Sequence, residues 1–163
     1  MSKAVVFDLD GTLLCTIPDI ADPLDAALTA SGLHGWDIPH YQKFVGNGIR
    51  RAIRRAPAPC EVEEILEAIH RVYQSIYPNH CCDKTHPYPE MGRVLEELCR
   101  RGIPVGVLTN KTETTAKAMM AHYFPQIPFA FVWGSNGSRP LKPDPSAAGE
   151  FCPLLGLAPE GVA

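Results

Sequence analysis

The stretch that most constrains the fold is Val5–Leu14, an apolar run that ends in two carboxylates, Asp8 and Asp10, and in Gly11. Residues 4–7 are small, β-branched or aromatic and do not alternate with polar residues, which predicts a strand buried on both faces of a parallel sheet. Ligands bind such sheets at the carboxyl ends of the strands. Side chains two residues apart on an extended backbone point to the same side, so both carboxylates are expected to face one site.

Two carboxylates held close together have two chemical uses. They suit proton transfer, or the binding of a cation that prefers oxygen ligands. Gly11 lets the backbone turn sharply and admits a ligand close to it. The alternative is a strand that simply ends in a solvated acidic turn.

Two further polar segments follow predicted strands. Thr109-Asn110 comes after a buried strand over 103–108 and before a helix over 112–123, so its hydroxyl and N–H groups could face an anion at a helix N-terminus. The alternative is that Thr109 only caps that helix. Lys142 opens a Lys-Pro pair in the loop after a third predicted strand over 129–133.

The segment from Cys15 to about Thr85 reads as an all-helical insert between two α/β pieces. A helix is predicted from Pro18, and a strongly amphipathic one from Glu61 to Tyr77. A third, over 49–56, carries an apolar stripe opposite the only dense positive charge of the insert, which consists of Arg50, Arg51, Arg54 and Arg55. These arginines either form a solvated helix face or contribute to a binding site.

Composition excludes several classes of function. The 163 residues are 20% charged and 45% hydrophobic with a net charge of −3, as in an ordinary globular chain that can bury one core and a small subdomain. Neither nucleic acid nor a membrane is expected as a partner, since the charge gives no attractive field and no apolar run approaches the roughly 20 residues of a span. A cytoplasmic location is expected.

The six cysteines do not indicate a disulfide framework. The sequence shows no secretion signal, so reduced thiols are expected. His80-Cys81-Cys82 has the residue types of a zinc site but lacks the usual Cys-x-x-Cys spacing, and zinc is not favoured.

The order of these motifs resembles a known superfamily. Phe-Asp-Leu-Asp-Gly-Thr-Leu at 7–13, Thr109 after a second strand and Lys142 in Lys-Pro-x-Pro resemble the first three motifs of the haloacid dehalogenase superfamily, and the resemblance covers essentially the whole chain. Leu-Thr-Asn-Lys at 108–111, Gly46-x-Gly48 and the segment 17–20 look most like its phosphoglycolate phosphatase branch.

The resemblance implies a fold and a division into domains. The expected fold is α/β, with a three-layer Rossmann-like parallel sheet core and a helical cap inserted after the first strand. Residues 1–14 and 86–163 would form the catalytic core, and residues 15–85 the cap.

The resemblance also implies a Mg²⁺-dependent phosphatase that hydrolyses a small phosphorylated metabolite, such as phosphoglycolate, through an aspartyl phosphate. Asp8 would be the nucleophile and Asp10 the general acid and base. Magnesium would be bound by the Asp8 carboxylate and the main-chain carbonyl of Asp10. The substrate would be bound by Gly11, Thr12, Thr109, Asn110 and Lys142 and, if the cap arginines face the site, by Arg50 and Arg51.

The sequence departs from the superfamily at its end. The fourth motif, an acidic pair that follows a further strand, does not appear before Ala163. The resemblance therefore implies a core that is C-terminally truncated, with a metal ligand missing and the first strand unpaired along one edge, which favours self-association. Two alternatives stay open, namely a phosphate-binding pseudoenzyme and a phosphosugar mutase of the same superfamily.

Overall fold

The structure is a computed structural model that describes residues 3–56 and 62–163. The chain divides into two compact units, one formed by Met1–Leu14 with Pro87–Ala163 and the other by Cys15–His86. The predicted helix start at Glu61, and Cys60 among the six cysteines, lie outside the described residues. No helix in the described part of the chain is long and apolar enough to cross a membrane.

The first unit contains a three-stranded parallel sheet. Its strands are β1 (Val5–Phe7), β4 (Val105–Thr112) and β5 (Phe131–Ser135), in the order β1-β4-β5. The helices that alternate with these strands along the chain are α5 (Met91–Arg100), α6 (Glu113–Tyr123) and α7 (Ser146–Leu154), followed by a 3₁₀ turn at Pro159–Gly161. The predicted α/β class with a parallel Rossmann-like sheet is confirmed. The short strands β2 (Leu14–Cys15) and β3 (His86–Pro87) form a separate two-stranded sheet.

Strand β1 lies at one edge of the described sheet, with β4 on its other side. All three of its residues are half-buried. The strand is therefore less buried than the sequence predicted. A few residues pair with its outer edge: the Val6 N–H donates to the Ala163 carbonyl at 2.7 Å, and the Ala163 N–H donates to the Ala4 carbonyl at 3.0 Å. The backbone at 162–163 thus runs parallel to the first strand as far as Val6.

Strand β4 is longer than the sequence indicates. It continues past Leu108 to Thr112, with an irregular register between these two residues, and α6 begins only at Glu113. The N-cap of α6 is Thr112. The two predictions that put Thr109-Asn110 at a helix N-terminus, as an anion site or as a cap, are therefore both wrong about the local backbone.

Two glycines allow close approach between these elements. A Cβ atom on Gly106 would lie 2.4 Å from Cζ of Phe131, whose ring stacks on Phe151 at a centroid distance of 5.6 Å. A Cβ atom on Gly134 would lie 2.5 Å from the Lys111 carbonyl oxygen and 2.6 Å from Cα of Glu113. Any larger residue at Gly134 would push β5 away from the end of β4, where the polar segment lies.

The second unit is mostly helical. It consists of α1 (Ile17–Ala30), α2 (Ile38–Phe44), α3 (Ile49–Arg55) and α4 (Glu63–His80). The helix predicted to end at Tyr77 continues to His80 and includes Pro78 in its last turn, where the proline removes only one backbone hydrogen bond. Pro39 lies in the first turn of α2, where its missing N–H has no partner to lose.

Asp19 joins the beginning and the end of this helical unit. Its carboxylate is only 3% exposed and accepts the N–H groups of Lys84 at 2.9 Å and of Thr85 at 2.7 Å. A buried carboxylate is stable only when it is bonded in this way. Asp19 therefore fixes the segment before β3 against the start of α1.

Candidate active site

The carboxylate of Asp8, just after β1, binds the ammonium group of Lys142. Lys142 Nζ lies 2.8 Å from Asp8 Oδ1 and also donates to the Leu108 carbonyl oxygen at 2.9 Å. The same Asp8 oxygen accepts the Leu9 N–H at 2.7 Å. The side chain of Asp8 is 41% exposed, so a reactant from solvent can reach it. The structure thus brings together the first and third predicted motifs.

The second carboxylate, Asp10, binds a different lysine. Lys111 Nζ lies 3.0 Å from Asp10 Oδ1, and the Lys111 side chain is only 5% exposed. Sequence reasoning did not assign a role to Lys111, although it belongs to the Leu-Thr-Asn-Lys segment. Each acid therefore has its own ammonium group, and the two positive charges offset the two negative ones.

Gly11 and Thr12 form the turn that follows the two acids. Gly11 adopts a left-handed φ of 78° and donates its N–H to the Leu14 carbonyl at 2.9 Å. The Leu9 carbonyl accepts the N–H groups of Thr12, Leu13 and Leu14 at 3.1–3.3 Å. The backbone N–H groups of Gly11 and Thr12, both predicted to bind substrate, thus form hydrogen bonds within the turn. Thr12 itself is exposed to solvent.

The predicted phosphate-binding pair, Thr109-Asn110, lies in the extended end of β4. Thr109 is 4% exposed, and its hydroxyl oxygen accepts the Lys111 N–H at 3.2 Å. The side-chain amide of Asn110 bonds both backbone groups of Lys142, accepting from its N–H at 2.7 Å and donating to its carbonyl at 3.1 Å. The second motif is thus linked to the third by direct contact.

The loop that leads from β5 to Lys142 is fixed to α6 by a polar cluster. Glu113 accepts the Asn136 side-chain amide at 3.1 Å and the Gly134 N–H at 3.4 Å. The hydrogen bond from Lys117, with the Gly134 N–H and the charge of Arg139, lowers the pKa of Glu113. Arg139 also pairs with Glu150 at 2.6 Å and stacks over the ring of Trp133, 4.1 Å from its centroid. None of these long-range contacts has a local sequence signal.

The cap arginines are all exposed on α3. Arg50 forms a two-pronged ion pair with Glu67, and Arg54 pairs with Glu63 at 2.7 Å, both within the helical unit. Within the described ranges, Arg51 forms no ion pair. Their predicted contact with the substrate stays a prediction.

The site offers the kind of ligand atoms that a hard cation prefers. Asp8 and Asp10 offer only oxygen ligands, as Mg²⁺ prefers. Between residues 3 and 56 and from 62 onward, no group of three or more His, Cys, Asp or Glu side chains is placed to hold a metal. Lys142 and the Leu9 N–H both contact Asp8 Oδ1, so the described residues leave Asp8 Oδ2 open for a cation.

The geometry places two carboxylates, each paired with a lysine, at the carboxyl edge of a parallel sheet, which is where α/β proteins bind their ligands. The comparison with known proteins agrees with that class. Residues 5–163 match the model of the haloacid dehalogenase-like hydrolases, and the chain belongs to this family.

Individual relatives indicate the branch. The phosphoglycolate phosphatase of Mesorhizobium japonicum is 33% identical over 156 residues, which cover 93% of this chain and 68% of that protein. That of Psychrobacter arcticus is 29% identical over 164 residues, covering 96% and 71%. The crystal structure of a predicted phosphoglycolate phosphatase from Haemophilus somnus superposes with a TM-score of 0.89 at 26% identity, covering 99% of this chain and 75% of that one. The resemblance to the phosphoglycolate phosphatase branch is confirmed.

Proposed function

We propose that this protein is a phosphatase that hydrolyses phosphoglycolate or a similar small phosphate monoester through a phosphorylated Asp8. The observation that carries the proposal is the contact of 2.8 Å between Lys142 Nζ and Asp8 Oδ1. It places a fixed positive charge beside a solvent-accessible carboxylate, where the charge of a transferring phosphoryl group would develop. The relatives named phosphoglycolate phosphatase support this reaction and this substrate.

In the first step, a carboxylate oxygen of Asp8 attacks phosphorus, and the bond between phosphorus and the ester oxygen breaks. Among the described residues, both partners of Asp8 bind Oδ1, which leaves Oδ2 for the attack. Asp10 enters this step in its protonated form and gives that proton to the departing alkoxide, which leaves as the free alcohol. Lys111 holds Asp10 in place for this transfer.

In the second step, water attacks the phosphorus atom of the aspartyl phosphate. Asp10, now deprotonated, takes a proton from that water, and the bond between phosphorus and the Asp8 oxygen breaks. Inorganic phosphate is released and the Asp8 carboxylate is restored. The balance is one ester and one water in, one alcohol and one phosphate out.

The positive charges are needed because a carboxylate must approach a dianion. At 4 Å and an effective dielectric constant near 20, that repulsion is about 8 kcal/mol. An ammonium group at a similar distance from the phosphoryl oxygens offsets a comparable amount, and Lys142 is the lysine in contact with Asp8. Mg²⁺, held by the Asp8 carboxylate and by Asp10, would supply further positive charge to the phosphoryl group when bound.

The test is release of inorganic phosphate from phosphoglycolate by the purified protein, assayed with millimolar Mg²⁺ and again with excess chelator. We expect hydrolysis that depends on Mg²⁺ and disappears in Asp8→Asn, because an amide is a poor nucleophile of nearly the same shape. Binding of phosphate without turnover would instead support a pseudoenzyme, and formation of an isomeric sugar phosphate would support a mutase. Tight zinc binding that is lost when Cys81 and Cys82 are changed would contradict the oxygen-ligand site.

A further inference from the structure

The side-chain amide of Asn110 is bonded to the backbone of Lys142 in both directions. Its Oδ1 accepts the Lys142 N–H at 2.7 Å, while its Nδ2 donates to the Lys142 carbonyl at 3.1 Å. The two residues are 32 positions apart in sequence, so this contact joins the end of β4 to the loop after β5. A primary amide has the neutral donor and acceptor that such a two-way contact needs.

The other end of Lys142 is also fixed by β4. Its ammonium group donates to the carbonyl oxygen of Leu108, two residues before Asn110, at 2.9 Å. A lysine side chain has four rotatable bonds and loses considerable entropy when it is held in one conformation. Residues of β4 bind both the backbone and the ammonium group of Lys142. The side chain is therefore already ordered in the conformation that contacts Asp8.

We propose that the Asn110 side chain is a positioning residue, which holds the Lys142 ammonium group against Asp8. This role rests on the proposed function and differs from the one expected from sequence, in which the main-chain amide of Asn110 binds phosphate. The side chain acts on the reaction through Lys142. Displacement of a charged group by about 1 Å can lower a rate about a hundredfold, so a clamp of this kind affects turnover directly.

A double-mutant cycle on hydrolysis tests this coupling. We expect Asn110→Ala to lower kcat/KM by about tenfold to a hundredfold. In a Lys142→Met background, the same change should lower the remaining activity by less than about twofold, since a residue that acts through Lys142 has nothing left to position. An equal loss in both backgrounds would overturn the proposal. Gln126→Ala removes an exposed amide from the same unit and serves as the matched control.

A second measurement does not depend on hydrolysis. Competitive acetylation followed by mass spectrometry gives the reactivity of Lys142 relative to Lys117, which lies on α6 and is 56% exposed. We expect Asn110→Ala to raise the relative reactivity of Lys142 by about threefold to tenfold, as the loss of one or two hydrogen bonds allows. Unchanged reactivity would overturn the proposal.

The two measurements separate the two proposals. A parent protein without hydrolytic activity refutes the proposed function, whereas the acetylation ratio still decides the role of Asn110. If Asn110→Ala does not fold, Asn110→Asp keeps nearly the same shape but replaces the donor to the Lys142 carbonyl by a charged oxygen that repels that carbonyl. It should also raise the reactivity of Lys142, and an unchanged ratio in that variant would contradict the clamp.

Discussion

Replacement of Lys142 by Met removes the charge beside Asp8 and keeps most of the side-chain volume. In the structure that charge lies 2.8 Å from Asp8 Oδ1, next to the oxygen to which the phosphoryl group would be transferred. Loss of one fixed group that stabilises transition-state charge typically lowers kcat by about 10²–10³, or about 3–4 kcal/mol. We expect a loss of this size for phosphate release.

Stability should change much less than activity. The side chains of Lys142 and Asp8 are 29% and 41% exposed, and ion pairs with this degree of exposure contribute about 0–1 kcal/mol. For a chain of this size, 1 kcal/mol corresponds to a shift in Tm of about 2–4 °C. The assay is steady-state release of inorganic phosphate with thermal unfolding of the same samples. If Lys142→Met retained more than about a tenth of the parental kcat, or lost activity only by unfolding, the electrostatic role would be refuted.

Three further predictions concern packing, specificity and pH. Gly134→Ala should destabilise the protein by about 2–3 kcal/mol, because the added Cβ would lie within 2.5–2.7 Å of neighbouring backbone atoms. The control Gly92→Ala, whose Cβ would meet nothing within 4 Å, should be neutral or stabilising, and thermal unfolding of both variants checks this. Arg51→Ala, and to a smaller extent Arg50→Ala, should raise KM for phosphoglycolate and leave a neutral aryl phosphate unaffected, and equal effects on both substrates would assign these arginines to the solvated surface. Burial, with the nearby charge of Arg50, lowers the pKa of His70 below 6.5. As the pH falls, His70 is therefore protonated in the unfolded chain before it is protonated in the folded protein. The free energy of unfolding should then fall as the pH decreases below about 6.5. His70→Gln should remove that part of the pH dependence in denaturant titrations, and an unchanged slope would contradict it.

The parts of the fold that the sequence predicts well are those with a local signal. The apolar run before Asp8 identifies the first strand, and the three-and-four spacing of apolar residues in α4 identifies its helix. Alternation of strands and helices after residue 90 is enough to predict a parallel sheet. The order of an acidic pair, a threonine and a lysine then predicts which strand ends lie together.

The parts that the sequence does not predict depend on contacts between distant residues. The pairing of β4 with Ser135 of β5 extends that strand past Thr109, and this tertiary pairing overrides the local tendency to start a helix. The pairing of Lys111 with Asp10 and the clamp of Asn110 on Lys142 join residues from different strand ends. A lysine and an asparagine of this kind look like ordinary polar residues until the fold brings their partners close.

The central claim is that Asp8 carries the phosphoryl group during turnover. Borohydride reduces an acyl phosphate of aspartate to homoserine, so the protein can be quenched with borohydride during turnover of phosphoglycolate and analysed by peptide mass spectrometry. We predict homoserine at position 8, dependent on substrate and absent from the Asp8→Asn variant. Hydrolysis with no reduction at position 8, or with reduction at another carboxylate, would contradict the account.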